Sequence, residues 1–355
     1  MRAFHPLSAV EQLAVHLRGE IIAGTLSHTL PGVHKLAKEL GVSPKTVVAA
    51  VSKLEHDGLL KAQGARKKSL IMRPTGKKST ALRVTIILYD INDRSAPYLI
   101  ELQHQLELAG HIATFASQSL LDLGRSLERV AEFVDQNKAD AWIVACAPLD
   151  VLEWFATQTA PTFALFGRRQ GVTIAAGGPD KQPAVRDAVQ RLIELGHKRM
   201  VMIVREERRK PKPGLKEQVF LTEMAAHGIK VGAYNLPDWE ETPEGFMRCL
   251  DSLFQITPPS ALILDEAFFL TIAQLHLARR GIFAPKQVSL VCCDPDPTFS
   301  WFVPRVAHIN WDPQPIIRRA VRWVGNVKSG KIDKRQESTK AEFIEGGTIG
   351  PVLKA

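Results

Sequence analysis

The chain has 355 residues, 45% of them apolar and 23% charged, with a formal net charge of +9. That length exceeds what one hydrophobic core usually organises, so at least two folding units are required. No run approaches the roughly 20 apolar residues that span a bilayer, and the opening MRAFHPLSAVEQLAVHLRGE places Glu11, Arg18 and Glu20 where an export signal needs its apolar stretch, so a cytoplasmic location is expected.

The charge is unevenly spread. Residues 1 to 80 carry thirteen Lys and Arg against five acids, a net of +8, which leaves 33 basic against 32 acidic residues in the other 275. A basic head on a neutral body is the electrostatic footprint of a nucleic-acid-binding module, because cations that neutralise phosphates release condensed counterions. Cys146, Cys249, Cys292 and Cys293 lack metal-ligand spacing and read as reduced thiols. Gly177-Gly178 and Gly346-Gly347 are isolated pairs outside any phosphate-loop or dinucleotide pattern, and no nucleophile stands in register with a base. An enzyme, a cofactor and a metal are therefore not expected.

In chain order, Val10, Leu13, Ala14, Leu17 and Ile21 recur at helical spacing and Gly24 follows them. After the turn Leu30-Pro31-Gly32, residues Val33, Leu36, Ala37 and Leu40 give a short second helix that ends at Gly41. Ser43-Pro44-Lys45-Thr46 then supplies a side-chain cap and a proline in the first helical position of a third. On that helix Val47, Ala50, Val51 and Leu54 share one face, leaving Lys45, Val48, Ala49, Ser52 and His56 on the other. This is a helix-turn-helix whose outward face can enter a groove, with the small Ala49 and Ser52 allowing close approach to base edges. After Gly58, LLKAQGARKKSLIM reads as two short strands about Gly64, with Lys61, Arg66, Lys67 and Lys68 near the tip, as in a wing.

Residues 8 to 73 resemble the winged-helix domain of the GntR family, in Leu30-Pro31, Leu36-Ala37, Gly41-Val42-Ser43, Thr46-Val47, Gly58-Leu59 and Gln63-Gly64. The resemblance implies a duplex DNA partner contacted by His34, Lys35, Ser43, Lys45, Thr46, Ala49, Ser52, Lys53, Gly64, Arg66, Lys67 and Lys68. Where the family places DNA-contacting arginines this chain has His34, Pro44 and Val48, so base contacts are expected to rest more on Lys45 and the wing.

The winged helix is assigned to residues 1–74, and Thr75-Gly76-Lys77-Lys78-Ser79-Thr80 with Ala81 to a linker, polar and rich in breakers. From residue 82 to 355 strands and helices alternate. Strands are expected at 84–90, 112–117, 141–146, 162–167, 200–204, 261–265 and 288–294, and helices at 98–108, 127–134, 184–195, 216–227 and 267–280. That alternation implies an α/β fold of parallel sheets covered on both faces, in two lobes. Ligands of such sheets bind beyond the carboxyl ends of the strands, where Asp90, Arg168, Asp265 and Asp294 fall; each also fits a helix cap or a surface ion pair.

This second region resembles the effector-binding part of LacI/GalR regulators, itself similar to periplasmic sugar-binding proteins. The likeness lies in Leu195-Gly196-His197-Lys198-Arg199, in Gly281 with Pro285, Val288-Ser289-Leu290-Val291 and Asp294, and in Pro304 with a helix from Pro315 to Val327. A GntR-like head on such a body is similar to the arabinose repressor architecture. The resemblance implies an effector site with Asp294 at the family's ligand-binding aspartate and Lys216 at a family ligand contact; taken with the strand-end Asp90, Arg168 and Asp265, and with Trp301 or Trp311 as a stacking face, these charges suit a small polar effector, a carbohydrate for instance. It also implies a homodimer formed by the large domain, with helix 98–108 as one candidate surface, and repression rather than activation. Lys216 stands where the family has an arginine and Gly167 where it often has an acid, which leaves open a ligand other than a sugar, or a degenerate body that binds no ligand. A free solute-binding protein would share the bilobed fold but not the basic helix-turn-helix.

Overall fold

The computed structural model describes residues 9–23, 26, 29–56, 59–61, 69–71 and 81–352. The chain divides into two compact units, Met1–Val84 with Gln103–Thr114, and Thr85–Leu102 with Phe115–Ala355.

In the first unit, α1 (Ala9–Ala23), α2 (Val33–Glu39) and α3 (Pro44–His56) enclose a core of Leu13, Leu17, Ile21, Leu36, Val47, Ala50 and Leu54. The hydroxyl of Ser43 caps α3 by accepting from the Thr46 amide at 3.1 Å. Strands β1 (Leu60–Lys61) and β2 (Leu70–Ile71) pair antiparallel, and their Leu60 and Ile71 side chains close the same core. The wing tip with Gly64, Arg66, Lys67 and Lys68, and the linker from 75 to 80, lie outside the described residues.

From residue 83 the order is β3 (Arg83–Ile87), α4 (Pro97–Leu108), β4 (Ile112–Phe115), α5 (Leu127–Gln136), β5 (Ala141–Ala145), α6 (Leu149–Thr157), β6 (Thr162–Leu165) and β7 (Ala175–Asp180). There follow α7 (Gln182–Glu194), β8 (Met200–Ile203), α8 (Glu206–Arg209), α9 (Leu215–Ala226), α10 (Pro243–Ile256), β9 (Ala261–Leu264), α11 (Ala267–Ala278) and β10 (Ser289–Cys292). The last elements are β11 (Ala307–Trp311), α12 (Gln314–Lys328) and β12 (Gln336–Ile344).

The sheet order is β4-β3-β5-β6-β7-β12-β11-β10-β9-β8. Strands β5, β6, β7 and β12 pair in parallel, as do β11, β10, β9 and β8, while β11 and β12 run antiparallel. Both halves of the expected two-lobed body are therefore present, but joined: β12 pairs through Gln336–Lys340 with β7 and through Ala341–Ile344 with β11. A single nine-residue strand thus serves as the seam between the lobes.

Successive residues of the central strands are buried on opposite faces, as a sheet with two covered faces requires. Trp142 and Val144 pack with Phe133 and Phe155 of α5 and α6, whereas Phe163 meets Trp323 of α12, ring centroids 5.4 Å apart. In the second lobe Ile203, Leu264 and Cys292 pack with Phe246, Leu250 and Phe269 of α10 and α11. Helices α6, α8 and α10 and strands β7, β11 and β12 were not among the expected elements. No described helix is long and apolar enough to cross a membrane.

Candidate DNA-binding face and effector cleft

On α3 the inward Val47, Ala50 and Leu54 are fully buried, while Lys45, Val48, Ser52 and Lys53 are exposed and Ala49 is half-buried. His34 and Lys35 are exposed on α2, with Lys35 3.7 Å from Glu39 one turn on. Lys53 lies 3.3 Å from Glu11 of α1, a surface pair that contributes little and leaves the ammonium available to a phosphate. Ser43 and Thr46 share a hydroxyl contact of 2.8 Å at the start of α3, so both serve the cap as well as facing solvent.

The carboxyl ends of β3, β6, β8, β9 and β10 bring charged side chains from both lobes together. Asp265, directly after β9, is buried and accepts a short charge-assisted hydrogen bond from Lys216 in the first turn of α9. Burial alone would raise the Asp265 carboxyl, but Lys216, Arg208 and Lys181 outweigh it and hold it well below the usual carboxylate range. Asp294, after β10, accepts from Lys181 at 2.5 Å and from the indole of Trp311 at 2.9 Å. Asp90 caps the short 3-10 turn Ile91–Ser95 by accepting from the Asn92 amide at 3.0 Å, and also lies 3.6 Å from Arg205.

Arg205, which the sequence reasoning passed over, is the hub. It meets Glu266 through two bonds of 2.6 and 3.0 Å, and its guanidinium stands 5.1 Å from the ring centres of both Tyr89 and Phe269. Tyr89 in turn donates to Glu241 at 3.0 Å. The signal for Arg205 was in the sequence, since it follows the apolar run ending at Val204 just as Asp265 follows Leu264. Beside it, Glu207 is buried with one carboxylate oxygen unpartnered, and burial first, reinforced by Glu241 and Asp265, pushes its carboxyl up to about 7.

Arg168 reaches from the end of β6 to the opposite lobe, donating to the carbonyls of Glu207, Lys210 and Lys212 at 2.9, 2.6 and 2.8 Å. The turn that aims it needs Gly167, whose φ is +69° and where a Cβ would fall 2.8 Å from the Ala147 carbonyl. The aromatic face comes from Trp311, mutually edge-on with Tyr98 and Phe166 at 5.8 and 5.4 Å. Trp301 is the exception among the expected residues: it ends the 3-10 turn Pro297–Trp301 and is 86% exposed. The proline-led turn carries its ring outward, so it is not gathered with the others.

His197 contacts the Gly350 carbonyl and the Ser289 hydroxyl, each at 3.0 Å, which ties the turn after α7 to the carboxyl-terminal segment. Among the described residues no cluster of His, Cys, Asp or Glu could hold a metal ion.

Residues 9–66 match the gntR family of bacterial regulatory proteins, and residues 189–349 match the periplasmic binding protein-like domain. No curated protein matches the chain. Among solved structures it is similar to a LacI family transcriptional regulator from Mycobacterium smegmatis, with a TM-score of 0.63 and 16% identity over 76% of this chain and all of that one. A LacI family regulator from Enterococcus faecium with bound ribose has a TM-score of 0.60 and 13% identity, covering 76% and 99% of the two chains. The transcriptional regulator CelR in complex with cellobiose has a TM-score of 0.60 and 17% identity, covering 90% and 100%.

Proposed function

From a gntR-type amino-terminal domain joined to a body with the fold of LacI-family effector domains, we infer that the chain is a DNA-binding transcription regulator. The observation that carries this is the helix-turn-helix itself: α3 buries its apolar face and presents Lys45, Val48, Ala49 and Ser52 outward, within the segment that matches the gntR family.

The finer assignments are ours. A small polar effector binds between the lobes, at Lys216, Asp265 and Asp294, with Trp311 as the apolar wall. The ribose and cellobiose held by two fold relatives support a carbohydrate, and directed charges beside an aromatic ring suit several hydroxyls at once. The regulator acts as a repressor and as a homodimer, since one small module buries too little surface for operator specificity. The lac repressor, a further fold relative, was solved as a dimer on its operator. In this chain α11 offers an apolar outer face in Phe268 and Leu275, 62% and 63% exposed, next to a groove lined by Leu277, Phe283 and Val303; it joins α4 as a candidate surface.

Mapping the bound genomic sites names the operator, and the adjacent genes name the sugars to screen by calorimetry with that DNA in hand. Asp294→Ala is expected to abolish the response to the effector so found and to leave effector-free DNA binding unchanged. An unaltered effector affinity in that variant places the ligand elsewhere.

A further inference from the structure

Between β8 and α9 the chain runs Arg205-Glu206-Glu207-Arg208-Arg209-Lys210-Pro211-Lys212, a segment with far more charge than a connection needs. Only its middle forms the one-turn α8. Four side chains of the first lobe engage this segment or its immediate support. Arg168 donates to three of its carbonyls, those of Glu207, Lys210 and Lys212. Arg125 lies 2.6 Å from Glu206, Asp90 lies 3.6 Å from Arg205, and Tyr89 reaches Glu241, which itself accepts from the Glu206 amide. The segment also reaches the residues assigned to the effector: Arg208 lies 3.4 Å from Glu207 and 4.0 Å from Asp265, beside the Lys216–Asp265 pair.

Three carbonyls of one short segment converge on a single guanidinium, whose donors stand in a fixed planar fork, so the contact depends on the position of that segment's backbone. Its pairing is also independent of any ligand, since every acceptor belongs to the chain. We propose that the segment Arg205–Lys212 is a built-in latch, clasped by Arg168, that holds the two lobes closed with no effector present and occupies the cleft in its place. The effector then acts by releasing the latch. Regulation of this kind rests on the effector reading above, whereas the latch itself does not.

A ligand must then compete with an internal occupant, so its apparent affinity is lowered by the fraction of molecules that are latched. Breaking the clasp raises that affinity and moves effector-free DNA binding in the direction the effector does, by about 5- to 150-fold if the coupling is of ordinary size.

The test measures the lobe separation in the full chain without ligand, by pulsed electron resonance between spin labels on the exposed positions Glu153→Cys and Gln255→Cys. With labelled chain diluted into unlabelled chain so that only labels within one copy are read, the parent protein is expected to give one narrow distance population, and Arg168→Gln a second, longer one. Arg168→Lys keeps the charge without the fork and falls between the two, and it replaces Arg168→Gln should that variant not fold. A parent already spread over long distances overturns the latch, as does a distribution unchanged in both Arg168 variants. Addition of the sugars named by the bound genes separates the two ideas: a latch that opens on mutation while no sugar shifts the parent distances leaves the latch standing and removes the effector assignment.

Discussion

Replacing Lys216 by Ala strips the nearest counter-charge from a carboxylate that cannot easily regain water. Asp265 is 4% exposed and Lys216 9%. Arg208, the next cation, stands 4.0 Å away and is also engaged by Glu207. Removing one partner of a buried pair leaves an uncompensated charge and costs about 3 to 5 kcal/mol, whereas replacing both by apolar residues of similar size is often neutral or stabilising. Here the lower end applies, because Arg208 turns toward the orphaned carboxylate, so Lys216→Ala is expected to cost about 3 kcal/mol. The double variant Lys216→Met with Asp265→Leu recovers most of that loss. All six tryptophans, at 142, 154, 239, 301, 311 and 323, lie in the second unit, so urea unfolding followed by tryptophan fluorescence reports that unit alone. A loss below about 1 kcal/mol in the single variant, or no recovery in the double, refutes the view that these two groups depend on each other.

Other outcomes follow from the same structure. The Glu207 carboxyl, raised to about 7 from an ordinary 4.5, keeps its proton in the folded state over a range in which the unfolded chain has lost it. Stability therefore falls as pH rises from about 4.5 to 7, by on the order of 3 kcal/mol, and Glu207→Gln flattens that fall in a series of urea titrations. Asp93, raised to about 6 chiefly by burial and by Glu266, adds the same sign at lower pH and stays in the variant. Phe268→Asp with Leu275→Asp is expected to turn a dimer into a monomer in sedimentation, and an unchanged mass removes α11 from the interface. Changing Lys45 or Ser52 is expected to redirect preference among DNA sequences in a selection experiment, because both face outward from α3, whereas a uniform loss across sequences means phosphate contact only.

The winged helix was legible because its pattern is local. Buried positions recur at the helical period, Ser43 caps the next helix, and glycine ends the second, so α2, α3 and the paired β1 and β2 fall where periodicity and turn chemistry put them. The body was legible where strands are continuous apolar runs, as at β5, β8, β9 and β10. Strand β12, with sequence QESTKAEFI, was not, since its half-exposed residues carry too little apolar signal and one of its two partners, β7, lies more than 150 residues earlier. The amphipathic α10 went unread although its Thr242 cap and the proline at its start mark a helix entry. At the strand ends, the sequence named Asp90, Arg168, Asp265 and Asp294, but not what each would meet. Arg168 grips backbone carbonyls, and no side-chain pattern announces a carbonyl. Trp301 was chosen by type alone, and the turn before it faces the ring outward.

The central claim is that the basic head is a DNA-binding domain, and the dependence of DNA affinity on salt tests it most directly. Titrating the full chain onto its mapped site at 50 and 200 mM salt is expected to show an affinity loss of roughly 10³- to 10⁵-fold, the range for six to ten neutralised phosphates. Charge reversal of Arg66, Lys67 and Lys68 shallows that slope and weakens binding to all sequences alike. An affinity that does not change with salt, or binding that survives the reversal intact, contradicts the assignment.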